Sequence, residues 1–395
     1  MRRIDDIPPV QSGHVEPSVQ TTRHAALRRL FAFQLANSFA EQFGWNFIFL
    51  YAFGQGFGLE GIAIYFLLEY GSCVVFIPLV RRLDIVRSMR AGLALRIAAF
   101  ALLLHFFWWG QLYIASVLLG AFVTLFWIPY NTRYLQLTED PNRAQSSAAL
   151  FSMFAVLGAT LPVVAGILIQ LYDFQLVLMS CIAVLAGAIA VSGKLSPAGH
   201  MDVDIMPMLE RTRRLRPMLL AEGFWQGVFW LGVPLGLIMM VRGFGEYGAF
   251  YSLFGVLGAA ASLIAGRWSD KKMARGLPIY ASAVAGGIFS MVAAAFIGSP
   301  HLWTLAMSLT YFSIYILWPF TFCVVTELST SAAEAMTVRE FLTNIGRVGG
   351  GMLVLGSLWA ARVWSLGPSS ALSISFAGGG IALLVLAVAY RSMKR

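Results

Sequence analysis

Apolar residues run along this chain in blocks long enough to cross a bilayer, about 20 residues each, with short polar breaks between them. The blocks fall at residues 30–53, 61–80, 91–109, 111–130, 148–171 and 174–192. After a polar stretch at 193–217 they resume at 218–240, 247–266, 278–297, 302–325, 339–361 and 371–390. The pattern predicts an all-α membrane protein of twelve transmembrane helices in two groups of six. It divides the chain into a disordered cytoplasmic tail (1–26), an N-terminal six-helix bundle (27–192), a cytoplasmic linker (193–217) and a C-terminal six-helix bundle (218–395). Nothing resembling a cleavage site follows the tail, so span one is expected to be retained.

Composition agrees: 58% of residues are hydrophobic and only 12% charged, against about 25% charged in soluble domains. The net charge of +9 raises the question of nucleic acid, but the basic residues form no stripe. They follow the loops instead. Twenty-three of the 28 lysines and arginines fall in the tail, the loops after spans two, four, six and eight, and the C-terminus, whereas only Arg242 and Arg362 fall on the opposite side. By the positive-inside rule both termini are cytoplasmic, in a multi-pass protein of the inner membrane. Cys73, Cys181 and Cys323 each sit within an apolar run and read as small core residues.

Soluble-enzyme motifs are missing. There is no phosphate-cradling Gly-rich loop ending in Lys, no His-Glu-x-x-His and no nucleophile elbow. His14, His24, His105, His200 and His301 have no ligand spacing, so neither a metal, nor a cofactor, nor enzymatic catalysis is expected.

The two halves overlay on one another, as internal repeats do. Asn37, Glu41 and Trp45 of span one match Glu222, Gln226 and Trp230 of span seven at a constant offset. Arg81 and Asp84 match Arg267 and Asp270, and Phe122 and Pro129 match Phe312 and Pro319. The segment Gly266-Arg-Trp-Ser-Asp270-Lys271-Lys272 has a Gly, three residues, an Asp and then basic residues. In these features the chain resembles the major facilitator superfamily, a group of twelve-helix secondary transporters built as two pseudo-symmetric bundles. The loop after span two, Val80 to Asp84, lacks the glycine. Span five carries Pro162, Ala165 and Gly166 of the family's antiporter signature, with Leu157 and Leu161 where glycines would stand. The resemblance implies that Arg81 and Asp84, with Gly266, Arg267, Asp270 and Lys271, form gating loops, Asp84 facing the start of span eleven and Asp270 that of span five. An acid near a helix N-terminus meets its partial positive charge. The plain alternative is a positive-inside loop with one acid.

Ionisable residues within spans are costly, at least ~2.5 kcal/mol each on insertion scales, and usually face a cavity or a partner. Asn37, Glu41 and Trp45 share a polar face of span one, and Glu222, Gln226 and Trp230 repeat it in span seven. Such faces either line a central site at the repeat interface or bond neighbouring helices. Tyr311, Tyr315 and Trp318 form a stripe that is either an aromatic wall or packing. Glu340, Asn344 and Arg347 share a face of span eleven, Arg339 sits near the interface, and Arg96 is expected to snorkel to the cytoplasmic surface. Glu69 and Arg347 lie at similar depths, roughly 18 and 16 Å from the cytoplasmic ends of their spans. Because the resemblance implies that these spans face each other, the two are expected to form an ion pair.

The function expected is secondary transport of a small organic solute by alternating access, coupled to protons, with efflux by antiport favoured over uptake. A lipid flippase or a non-transporting scaffold on the same fold is the alternative. The partners are the solute, protons and membrane lipids, with no nucleic acid, and the protein acts as a monomer. The topology has a direct test: an impermeant thiol reagent applied to intact cells should leave a Ser12→Cys variant unlabelled and modify it after the cells are opened.

Overall fold

The computed structural model describes residues 17–138, 143–195, 199–270 and 276–393. Its architecture is helical, with twelve spans. The first span is α1 (Pro17–Phe43), a 3-10 turn at Trp45–Phe47 and α2 (Ile48–Gly54). Next come α3 (Leu59–Leu79), α4 (Ile85–Leu103), α5 (Gly110–Leu137), α6 (Arg143–Leu171) and α7 (Phe174–Val191). A short strand β1 (Arg82–Asp84) lies between α3 and α4. The linker carries β2 (His200–Asp202) and a short helix α8 (Ile205–Arg211). The second bundle is α9 (Arg216–Met240), α10 (Phe244–Asp270), α11 (Gly276–Ala295), α12 (Pro300–Leu328), α13 (Ala332–Val363) and α14 (Pro368–Met393).

The apolar blocks mark the membrane segments, and the helices run past them. Thus α1 starts at Pro17, well inside the expected tail of 1–26. Proline is tolerated in a first helical turn, and the polar residues after it carry the helix to the apolar run; residues 1–16 lie outside the description. Span one breaks at Gly44, where a β-carbon would come within 2.8 Å of Cys181 Sγ on α7.

Small residues set the close crossings. Gly223 and Gly227 on α9 face Gly346 and Gly350 on α13, each pair one helical turn apart. A methyl group at any of the four would collide with backbone of the facing helix: Thr343, Arg347, Leu220 and Phe224 respectively. Between the two bundles, α6 packs along α10 in the same way. Gly158 meets Gly255, Gly248 meets the Pro162 carbonyl, and Gly166 meets the Phe244 carbonyl. Pro162 interrupts the α6 ladder, and the Ser252 hydroxyl of α10 accepts a hydrogen bond from the neighbouring Val163 N–H at 3.0 Å. The residues read from sequence as a partial antiporter signature are therefore the contact of α6 with α10.

On the linker face, β1 and β2 pair antiparallel, Leu83 opposite Met201 and Asp84 opposite His200. Flanking bonds run from Val203 N–H to the Arg81 carbonyl and from Ile85 N–H to that of Gly199. Gly199 has φ of +74°, a conformation glycine adopts freely. Leu83, Met201, Val203, Ile205 and Met208 are buried, so the linker is seated by apolar contacts. Its end is held by charge. Arg211 lies 2.7 Å from Glu334, in the first turn of α13, where Ser331 accepts from the Glu334 N–H at 3.1 Å and Glu334 Oε2 accepts from the Thr330 hydroxyl at 2.8 Å. Ser331 thus caps α13, and the Glu334 carboxylate reaches back one residue further, to Thr330.

Asp84 does not reach α13. Its carboxylate caps its own helix, accepting from the Arg87 N–H at 2.8 Å, and lies 4.0 Å from His200. The strand pairing turns it toward the linker, and the place at the start of α13 is taken by Ser331 and Glu334. Of the matching loop, Gly266, Arg267 and Asp270 have described backbone only and Lys271 is outside the described residues.

Burial pushes the Glu334 carboxyl up, but hydrogen bonds from Arg211 and Thr330 outweigh it and hold the group below the usual carboxylate range. A depressed folded value contributes stability that is present above the unfolded value of about 4.3 and disappears as pH falls through the folded one. At pH 7, Glu334→Gln should lower unfolding stability by about 1–3 kcal/mol. In thermal melts of the purified protein, the gap from wild type should narrow below about pH 4.3 and then close.

Candidate functional site

A cavity of about 320 Å³ lies between the two bundles, and both contribute to its wall. From the first come Glu41, Gln42, Trp45, Asn46, Glu69, Tyr70, Arg96, Phe122, Trp127 and Asn131. From the second come Gln226, Phe229, Trp230, Tyr251, Phe254, Tyr311, Tyr315, Trp318, Arg339, Glu340 and Arg347.

On the second-bundle side, glycine contact brings α9 and α13 close enough for their polar side chains to meet. Arg339 sits 2.8 Å from Glu222 and 3.7 Å from Glu340, and Arg347 sits 3.6 Å from Glu340. Arg347 Nε donates to Gln226 Oε1 at 2.8 Å and its Nη1 to Asn344 Oδ1 at 2.7 Å. Gln226 in turn donates to Glu222 at 3.1 Å. Each charge is buried beside an opposite charge, the condition under which buried ions are tolerated. The guanidinium of Arg347 also lies over the rings of Trp230 and Tyr70, at 4.4 and 5.2 Å from their centroids. Tyr70 belongs to α3, so this stack crosses between the bundles.

The first-bundle side is built differently. Arg96 is 2% exposed, donates to Asn37 Oδ1 at 2.6 Å and stacks over Phe100 and Phe122. It does not snorkel. Arg96 lies midway along α4, turned to α1 and α5, and Asn37 with two aromatic faces substitutes for the water it would otherwise seek. Glu41 and Glu69 line the cavity near it.

Aromatic rings close the remaining arc. Trp230 contacts Trp318, Trp318 contacts Tyr315, and Tyr315 contacts Tyr311, at centroid distances of 6.5, 5.2 and 6.3 Å. Tyr311 stacks on Phe254 at 4.2 Å.

The model of the Major Facilitator Superfamily matches residues 24–351. The chain belongs to this superfamily. No curated protein matches it. Among solved structures it is similar to a POT family transporter in complex with a thioalcohol-conjugated peptide (12% identity, 92% of this chain and 95% of that one, TM-score 0.69). It is also similar to a peptide transporter POT in complex with sulfate (15%, 93% and 94%, 0.69) and to the E. coli fucose:proton symporter (14%, 95% and 99%, 0.65). At these identities the likeness is one of fold.

Within this major facilitator fold, the sequence-derived candidates separate into two layers. Glu41, Trp45, Glu69, Gln226, Trp230, Tyr311, Tyr315 and Arg347 line the cavity, and Asn37, Glu222 and Asn344 stand behind them. Each residue of the rear layer holds an arginine of the front one: Asn37 holds Arg96, Glu222 holds Arg339 and Asn344 holds Arg347. Both polar-face readings apply, to different residues of the same faces.

Glu69 and Arg347 both line the cavity but form no ion pair. Equal depth does not bring them together, because Gln226, Asn344 and Glu340 from the second bundle saturate the guanidinium and Tyr70 covers its face. Sequence reading missed Tyr70, Phe229, Tyr251 and Phe254, which look like ordinary apolar positions, and misplaced Arg96. Its signal was a charge flanked on both sides by uninterrupted apolar residues.

A double-mutant cycle on unfolding stability separates the two pairings. Arg347→Met combined with Glu340→Gln should give a coupling of at least ~1 kcal/mol, and with Glu69→Gln less than ~0.5 kcal/mol.

Proposed function

We propose that the protein is a secondary active transporter that moves a small organic solute across the cytoplasmic membrane by alternating access, coupled to protons. One observation carries this reading: a single cavity, lined by both bundles, holds ionisable groups and an aromatic arc at the centre of a major facilitator fold. Central sites between repeats are where such transporters bind their solutes. The fold alone would not decide the matter, and the case rests on the contents of the cavity.

Each face of the cavity has a role in this proposal. The aromatic arc gives an organic body an apolar surface with few rotatable bonds to order. Glu41 and Glu69 hold exchangeable protons, since a carboxyl group can be neutral in one state and ionised in another. Arg96, Arg339 and Arg347, fixed by Asn37, Glu222 and Asn344, set the potential those carboxyls experience. Rocking of the bundles would open the α6–α10 contact, where glycines of each helix meet backbone of the other. Both termini and the linker are taken to face the cytoplasm.

The test uses proteoliposomes of purified full-length protein with a pH dye inside. Adding a transported solute should move protons, and an imposed pH gradient should drive accumulation of that solute. Glu69→Gln should reduce gradient-driven accumulation at least tenfold while leaving solute counterflow measurable. Lipid exchange without solute movement would overturn the reading.

A further inference from the structure

The charges around the cavity do not balance. Glu222 and Glu340 are matched by Arg339 and Arg347 at ion-pair or hydrogen-bond distance. On the other side, Glu41 and Glu69 share one guanidinium, that of Arg96, which bonds to Asn37. Glu69 is 3% exposed and its Oε2 has no hydrogen-bond partner. Glu41 has no hydrogen-bond or ion-pair partner among the described residues. The wall itself holds three carboxylates and three guanidiniums; with Glu222, which stands behind it on Arg339, the buried group as a whole has four carboxylates against three guanidiniums, one negative charge in excess.

The groups around Glu41 and Glu69 come from several helices. Glu69 is faced by Trp45, which hydrogen-bonds to its carboxyl, by Tyr65, Tyr70 and Cys73 of its own helix, Arg96 of α4, Arg347 of α13 and Glu41. Glu41 is faced by Arg96 and by Tyr315 of α12. None of the neutral members supplies the missing charge. The rings of Trp45, Trp318 and Tyr315 bound the space, and aromatic rings attract organic ammonium groups, as the Trp230 ring already attracts Arg347.

Resting on the transporter reading above, we propose that the solute is a monovalent organic cation, a protonated or quaternary amine with an aromatic or aliphatic body, and that it exchanges one for one with a proton. Before the solute binds, an O–H bond on Glu41 or Glu69 balances the excess charge. When the amine enters, that bond breaks, the proton leaves to water on the side to which the cavity is open, and the carboxylate pairs with the cation. No electron is transferred. Because the two cations compete for one place, the carrier is an electroneutral antiporter.

Benzyltrimethylammonium, whose charge does not change with pH, is the probe, and toluenesulfonate is its anionic counterpart of similar size. Equilibrium dialysis of the full-length protein in detergent micelles, with empty micelles as the control, measures both. The cation should bind at least tenfold more tightly than the anion. Its affinity should rise toward roughly tenfold per pH unit while one proton is displaced, and an indicator dye should record one proton released per cation bound. Glu41→Gln and Glu69→Gln should each lose at least tenfold in affinity, with Glu69→Asp retaining most of it. Equal or preferential binding of the anion, no retention of the cation, or binding without proton release would each overturn the assignment. Binding with proton release but no movement in proteoliposomes would leave the charge assignment standing and defeat the transporter reading. Gradient-driven movement of an anion or neutral solute, without cation binding, would do the reverse.

Discussion

The structure depends on how closely α9 and α13 approach. An ionised side chain in the membrane interior is tolerated only when an opposite charge and hydrogen bonds replace its water, and these two helices bury Glu222, Glu340 and Arg347 beside the largely covered Arg339. Side chains of this length would reach one another across an ordinary helix crossing, but Gln226 and Asn344 would not both reach one guanidinium. The four facing glycines remove the β-carbons that would hold the backbones apart. The ion network and the glycine pairs are therefore one feature, and neither would be stable without the other.

Much of this was legible in the sequence. Twelve spans followed from apolar block length, and the polar faces of spans one and seven from helical spacing. Glu340, Asn344 and Arg347 share a face because the helical period puts them there. Periodicity gives the face of a residue, however, and not its partner on another helix. Asn37, Glu222 and Asn344 read as lining because they lie on lining faces, yet their side chains turn back to an arginine. Arg96 was misread for a related reason: its distance from Arg90 was measured along one helix, whereas its environment is Asn37 on α1 and Phe122 on α5. Glu69 and Arg347 share a depth, which fixes one coordinate out of three. The Ser331 cap of α13, by contrast, is a local feature: Ser331 and Glu334 have the three-residue spacing of a helix start.

The two sides of the cavity differ in kind. The second-bundle wall is paired: each guanidinium lies beside a carboxylate and the amides of Gln226 and Asn344 bond to Arg347, although Glu222 Oε2 and Arg339 Nε keep no hydrogen-bond partner. The first-bundle wall is held by one amide and two phenyl rings around Arg96, with two carboxylates left to the cavity. Such a division suits a carrier, in which one surface must keep its shape while the other changes its protonation.

The helix that carries the paired wall is also the one the linker holds. Arg211 ties the linker helix α8 to Glu334 at the start of α13, while the linker strand β2 pairs with β1 of the first bundle. At the other end of α13, Arg362 lies 3.7 Å from Glu60 of α3, both exposed enough for the pair to be weak. In the middle, Arg347 stacks on Tyr70 of α3. One helix of the second bundle is thus connected to the first at both ends and at its centre. The central contact is a cation over a ring, which tolerates sliding better than a directional ion pair would. A displacement of α13 against α3 therefore moves the Arg339 and Arg347 charges relative to Glu69 without breaking the network that keeps those charges buried.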